Sequence, residues 1–230
     1  MTRPILRARG VYKTYRTGEV EVGALRGVDL EVYPGELVVV MGPSGNGKTT
    51  LLNCLSGLDD IDAGTVFIDD FDLHAADDAT RTEHRARRMG FVFQSYNLIP
   101  VFSAVENVEL PLLLLGRKPA VARKMATAML DRVGLGARLG NRPGALSGGE
   151  QQRVAIARAL VASPAIVWAD EPTGNLDAET AEAVLELLLE VHRDGNTLVL
   201  VTHDRDVGIW ASRLVRIVNG RVAADEASLR

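Results

Sequence analysis

Residues 42–49 read Gly42-Pro43-Ser44-Gly45-Asn46-Gly47-Lys48-Thr49, with Thr50 next. Glycines at this spacing let successive backbone N–H groups curl around an anion. The lysine then bridges β- and γ-phosphates, and the threonine hydroxyl ligates Mg²⁺. The chemistry implied is the binding of a nucleoside triphosphate at a helix N-terminus. The pattern needs a buried strand before it and a helix after it. Leu37-Val38-Val39-Val40-Met41 is a continuous apolar run of the kind buried on both faces, and Lys48 to Ser56 reads as a helix that Gly57 can stop. A chance glycine-rich turn would lack both flanks.

A second constellation is the apolar run Ala165-Ile166-Val167-Trp168-Ala169 ending in Asp170 and Glu171. An acid at the end of a strand beside a phosphate loop can hold Mg²⁺ through water, and a carboxylate one residue on can polarise an attacking water. Taken alone, the two acids could instead be a solvated helix cap. A third is Leu146-Ser147-Gly148-Gly149-Glu150, where Ser147 and Glu150 form a capping box ahead of a helix with a Val154, Ala157, Val161 stripe. The cap explains the serine and the glutamate. It leaves the glycine pair, which costs helix stability, and bare backbone at a positive helix end suits close approach of a phosphate.

Strand and helix signals alternate, which predicts an α/β fold with a mixed sheet, richer in strands in its first third. Leu198 to Val201 reads as another buried strand, and Thr65–Ile68 and Phe91–Phe93 as strands of an antiparallel or mixed portion. Between 95 and 146 no strand is evident. Pro119 opens a helix with apolar positions Val121, Met125, Ala128 and Met129, which Gly134 ends. Asp177 starts a further helix, Glu179 to Arg193, whose stripe is Val184, Leu185, Leu188 and Val191 and which stops near Gly195. The organisation expected is one domain over residues 1–230: an α/β core from 1–94 and 147–230, with an inserted helical subdomain at about 95–146.

The net charge of -4 offers no basic field for nucleic acid or anionic lipid. Cys54 is the sole cysteine, so an internal disulfide is excluded and packing is its expected role. The strongest apolar stretch, Leu110 to Leu115, is far short of the roughly 20 residues that cross a bilayer. His74, His84 and His192 stand among charged residues and are expected at the surface, and the run Arg81 to Arg88 as a solvated helix face.

With these motifs in this order, nearly the whole chain resembles the nucleotide-binding subunit of an ABC transporter. The resemblance implies further roles: Tyr15 stacking on adenine, Gln94 touching Mg²⁺ or the lytic water, Asp177 coupling two sites across a dimer, and His203 orienting the γ-phosphate. It implies ATP and Mg²⁺ as ligands. It also implies a second copy whose Ser147, Gly148 and Gly149, with Glu150, complete the site, an integral membrane partner, and a place on the cytoplasmic face of the plasma membrane. The stretches GALRGVDLEVYPGE, GFVFQSYNLIP followed by AVENVELPL, and DEPTGNLD are most similar to macrolide-exporter and lipoprotein-release ATPases. A regulatory ATPase of the cell-division type is the alternative. A chromosome-organising ATPase would need a coiled-coil insertion, and only 52 residues separate Gln94 from Ser147. Asn46, where the family usually has serine, Thr49 and Trp168 depart from the common pattern.

Overall fold

A computed structural model describes residues 3–18 and 20–227. In chain order the elements are β1 (Leu6–Thr17), β2 (Val20–Val32), β3 (Leu37–Met41), α1 (Lys48–Leu55), β4 (Ala63–Ile68), β5 (Phe71–Asp72), α2 (Asp78–Arg88), β6 (Met89–Phe93), α3 (Ala104–Leu114) and α4 (Pro119–Arg132). There follow α5 (Gly148–Leu160), β7 (Ile166–Asp170), α6 (Ala178–Arg193), β8 (Thr197–Val201), α7 (Arg205–Gly208), β9 (Arg213–Val218) and β10 (Arg221–Ala227), with two short 3₁₀ turns at Gly136–Arg138 and Pro143–Ala145. The chain divides into two compact units, Met1–Arg85 with Gly195–Arg230, and Ala86–Asp194.

The first unit holds an antiparallel sheet ordered β2-β1-β4-β5, in which Leu6 pairs with Val32 on one side and Ile68 on the other. Its other strands run β10-β9-β3-β8, with β3 parallel to both β8 and β9, and β10 antiparallel. The expected mixed sheet and antiparallel N-terminal portion are both present. Leu37 to Val40 and all of β8 are buried, as strands covered on both faces must be, which is why neither shows polar alternation.

In the second unit β6 lies parallel to β7, with Phe93 opposite Asp170. Phe91–Phe93 is therefore part of a parallel pair. Three helices close over one core in which Val105, Val108 and Leu112 of α3 meet Ala122, Ala126 and Leu130 of α4 and Val154 and Ala157 of α5. Here the sequence reading of α4 needs correcting. Val121 is 45% and Met125 36% exposed, whereas Ala122 and Ala126 are fully buried. The inward stripe is Ala122, Ala126 and Leu130, small residues at i and i+4 followed by one leucine, while Val121 and Met125 point out. α3 tolerates Pro111 inside it and begins with its own capping box, Ser103 with Glu106. Asn107, fully buried, accepts from the Ile99 N–H at 2.8 Å and donates to the Ile99, Phe102 and Ser103 carbonyls, which pins the loop entering the helix.

Candidate nucleotide site

The first unit presents the phosphate loop as the link from β3 to α1. Gly47 is the α1 N-cap at φ 95°, and a Cβ there would lie 2.4 Å from the Ala24 carbonyl oxygen, so both its conformation and its surroundings demand glycine. Lys48 is 7% exposed, and its Nζ donates to the Gly42 and Pro43 carbonyls at 2.9 and 3.0 Å. Asn46 ties the loop to the turn between β9 and β10. Its Oδ1 accepts from the Asn219 N–H at 2.8 Å and its Nδ2 donates to the Ser44 carbonyl at 3.1 Å. The asparagine amide thus supplies an acceptor and a donor to two separate backbone groups.

His203 follows β8 and is exposed. It lines an open groove of about 940 Å³ with Gly42, Pro43, Ser44, Ile209 and Arg216, so the unit brings His203 and the start of the phosphate loop to one surface. Tyr15, on β1, is 40% exposed and donates its hydroxyl to Asp59 Oδ2 at 2.7 Å. Thr50 lies in the first turn of α1 behind the loop.

In the second unit the parallel register of β6 and β7 delivers Gln94, Asp170 and Glu171 to the same carboxyl edge, where α/β sheets place ligand contacts. Glu171 has φ 44°, a left-handed conformation rare for residues other than glycine, and its carbonyl accepts from the Gly174 N–H at 3.0 Å. Gln94 and Asn175 exchange two hydrogen bonds, Gln94 Nε2 to Asn175 Oδ1 at 3.1 Å and Asn175 Nδ2 to the Gln94 carbonyl at 3.0 Å. Asp177 caps α6, accepting from the Thr180 N–H at 3.0 Å and the Thr180 hydroxyl at 2.7 Å. Those bonds hold its carboxyl below the ordinary carboxylate range.

Ser147 is exposed at the start of α5, and the capping box is formed in full: the Glu150 N–H reaches the serine hydroxyl, and Glu150 accepts from the Ser147 N–H at 2.8 Å. Arg138 donates to the other Glu150 oxygen at 2.9 Å. Glu150 is thus held within its own helix start. The glycine pair has a packing cause that the sequence does not reveal. A Cβ on Gly149 would meet Thr180 Cγ2 at 2.3 Å, and one on Gly148 the Tyr96 hydroxyl at 2.9 Å.

The model of the ABC transporter family matches residues 25–174. This chain belongs to the ABC transporter family. As a member, it is 49% identical over 94% of its length to an uncharacterised ABC transporter ATP-binding protein of Thermotoga maritima, covering 92% of that protein. It is 48% identical to the lipoprotein-releasing system ATP-binding protein LolD of Alcanivorax borkumensis, with 88% of this chain and 90% of that one aligned. It is 44% identical over 97% of its length to the macrolide export ATP-binding/permease protein MacB of Marinobacter nauticus, of which it spans 35%. Among solved structures, an ATP-binding cassette described as a dimer in a post-hydrolysis state bound to ADP and phosphate superposes with TM-score 0.90 at 42% identity, over 98% of this chain and 99% of that one.

In this ABC-family chain the sequence missed several residues that support the site, because their partners are distant. Gln152, fully buried one turn into α5, donates to the Pro172 carbonyl at 2.6 Å, linking the helix that Ser147 starts to the turn after Glu171. His74 is half-buried rather than a surface group. Its Nε2 lies 2.8 Å from the Cys54 carbonyl, and burial lowers its pKa. His84 stacks on Phe71 at 4.1 Å. Arg85 reaches the Gly57 carbonyl and Arg81 pairs with Asp60, so one side of α2 is engaged while the other remains solvated. Cys54 is buried as expected, with its thiol pushed up to about 12.

Proposed function

We propose that this chain is the motor subunit of an ABC transporter. It binds and hydrolyses ATP, and two copies close around two nucleotides to drive a separate membrane-spanning partner in efflux or lipoprotein release. The observation that carries the reading is the phosphate loop: a nearly buried ammonium, Lys48, turned inward at the N-terminus of α1. Two positive elements facing one space are relieved by a polyanion, and Lys48 can exchange its loop carbonyls for phosphate oxygens. Residues 42–50 cradle the triphosphate and Tyr15 stacks on adenine.

The Mg²⁺ ligands in this reading are Thr49, Gln94 and Asp170, all oxygen donors. Among the described residues no cluster of three acidic, histidine or cysteine side chains could cage a metal. One carboxylate plus substrate phosphates is the way Mg²⁺ is commonly held, so the donor set fits. The ion, when bound, neutralises charge developing on the phosphates. Glu171 polarises the attacking water in line with the γ-phosphate, His203 orients that phosphate, and Gln94 senses it. Ser147, Gly148 and Gly149 of the second copy bring a helix N-terminus against the same phosphate, with Glu150 holding that helix start in shape, and Asp177 couples the two sites.

Residues 95–146 form the helical subdomain that relays closure to the membrane partner. Val101, Leu114 and Val121 leave apolar surface exposed there, which suits a protein contact. No helix among the described residues is long and apolar enough to cross a membrane. In this reading the chain sits on the cytoplasmic face through its partner. Release of phosphate from ATP and nucleotide titration test the proposal. Lys48→Ala should lose tight ATP binding, and unchanged affinity refutes the assignment.

A further inference from the structure

A small polar junction lies between the two ends of the nucleotide site in the first unit. Tyr15 donates its hydroxyl to Asp59 Oδ2 at 2.7 Å. Lys13, two residues earlier and across an irregularity of β1, reaches the same carboxylate, donating to Asp59 Oδ1 at 2.8 Å and to the Asp60 carbonyl at 2.7 Å. The Lys13 ammonium also stands over the Tyr15 ring, 5.2 Å from its centroid, and its side chain is mostly buried. One face of the ring is thus occupied by a cation, while the residue as a whole remains 40% exposed.

Asp59 is in turn fixed to α1. The Leu58 and Asp59 N–H groups both donate to the Asn53 carbonyl, at 2.9 and 3.1 Å, and the Tyr15 hydroxyl shares a further hydrogen bond with Thr50. The strand itself is clipped to the loop after α1, with the Asp62 N–H donating to the Tyr12 carbonyl at 2.9 Å and the Thr14 N–H to Asp62 Oδ2 at 2.6 Å. Because α1 begins at Lys48, a continuous set of bonds runs from the phosphate loop through one helix to the plane of the Tyr15 ring. Burial by itself would raise the Asp59 pKa, but the hydrogen bonds from Lys13 and Tyr15 outweigh it and hold the carboxyl ionised below its ordinary range. A carboxylate so held keeps both donors in place at neutral pH.

We infer that Asp59, braced by Lys13, is a positioning residue for recognition of the nucleobase: it sets the height and plane of the Tyr15 ring above α1, so that a purine stacks on the exposed face while the triphosphate occupies the loop. The inference rests on the reading that Tyr15 takes adenine, and its test separates the two. ATP and inorganic tripolyphosphate, which has the charge without the base, are titrated with Mg²⁺ against the wild-type chain and against Asp59→Ala, Tyr15→Phe, Tyr15→Ala and the Asp59→Ala/Tyr15→Ala double variant.

Stacking of a base on an aromatic ring carries about five- to a hundredfold in affinity, so Tyr15→Ala should weaken ATP binding by about tenfold or more. Asp59→Ala and Tyr15→Phe should each weaken ATP binding by about three- to tenfold, the cost of losing the bonds that orient the ring. Tripolyphosphate affinity should be unchanged in all of them, and Asp59→Ala should have no further effect once the ring is gone. If Tyr15→Ala weakens ATP binding and Asp59→Ala and Tyr15→Phe do not, the positioning role is overturned and stacking stands. If Tyr15→Ala leaves ATP affinity intact, stacking itself is overturned. Equal weakening of ATP and tripolyphosphate by Asp59→Ala places its effect in the phosphate loop and overturns the inference as well. Should Asp59→Ala fail to fold, Asp59→Asn decides: one amide oxygen cannot hold both Lys13 and the Tyr15 hydroxyl as two carboxylate oxygens do, so ATP affinity should fall with tripolyphosphate affinity unchanged, and unchanged ATP affinity overturns the inference.

Discussion

Gly149→Ala puts a number on the packing at the start of α5. The added Cβ would lie 2.3 Å from Thr180 Cγ2, while Thr180 Cβ and Oγ1 are at 3.7 and 3.9 Å, ordinary contact distances. The strain therefore falls on one methyl group. Forcing an extra carbon into a packed contact costs about 1–3 kcal/mol. Replacing glycine by alanine in a helix returns up to about 1 kcal/mol. The single variant should accordingly lose about 0–3 kcal/mol. Thr180→Ser removes the offending methyl and keeps the hydroxyl that donates to Asp177 at 2.7 Å. In that background Gly149→Ala should be neutral or stabilising, giving a coupling energy of about 1–3 kcal/mol between the two sites. Urea unfolding of the four proteins, followed by circular dichroism, reads this directly as midpoints at constant slope. Additive effects, within about 0.5 kcal/mol, would refute the claim that Thr180 is what excludes a side chain at position 149.

Three further outcomes follow from buried groups. With its thiol near 12 and its side chain enclosed, Cys54 should resist thiol reagents in the folded protein and react at once in denaturant; rapid native labelling contradicts its burial. His74 has a folded pKa below its unfolded value, so the unfolded chain takes up the proton first and stability falls as pH drops below about 6.5. His74→Gln keeps a donor for the Cys54 carbonyl and should flatten that decline; an unchanged pH profile excludes the histidine as its source. Gln152→Leu deprives the Pro172 carbonyl of its buried donor and should cost about 1–3 kcal/mol of stability and slow hydrolysis more than it weakens ATP binding, with wild-type turnover as the contrary result.

The elements flanking the motifs were legible because their signals are local. A five-residue apolar run, a glycine at an N-cap and a serine three residues before a glutamate each fix a strand, a loop or a helix start without distant help. The phosphate loop, the strand ends at Gln94 and Asp170, and the Asp177 cap could be placed for that reason. What escaped depended on partners far along the chain. The inward stripe of α4 begins with Ala122 and Ala126 because two neighbouring helices press on it, and size alone points to Val121 and Met125. His74 and His84 have charged neighbours in sequence but fold against Cys54 and Phe71. Asn46, Asp59 and Gln152 carry no periodic signature, since each acts through hydrogen bonds to partners far along the chain. The glycine pair was read for its openness to phosphate, while Thr180, some thirty residues on, supplies a second reason for Gly149.

In the proposed function, Ser147 to Gly149 of one chain complete the phosphate site of another. Glu171→Gln, which should bind ATP without turning it over, isolates the closed state for measurement by sizing with Mg²⁺ and ATP. Glu171→Gln should form a nucleotide-dependent dimer, and adding Ser147→Arg should leave a monomer of unchanged ATP affinity. A Glu171→Gln/Ser147→Arg chain that still dimerises on ATP would contradict it.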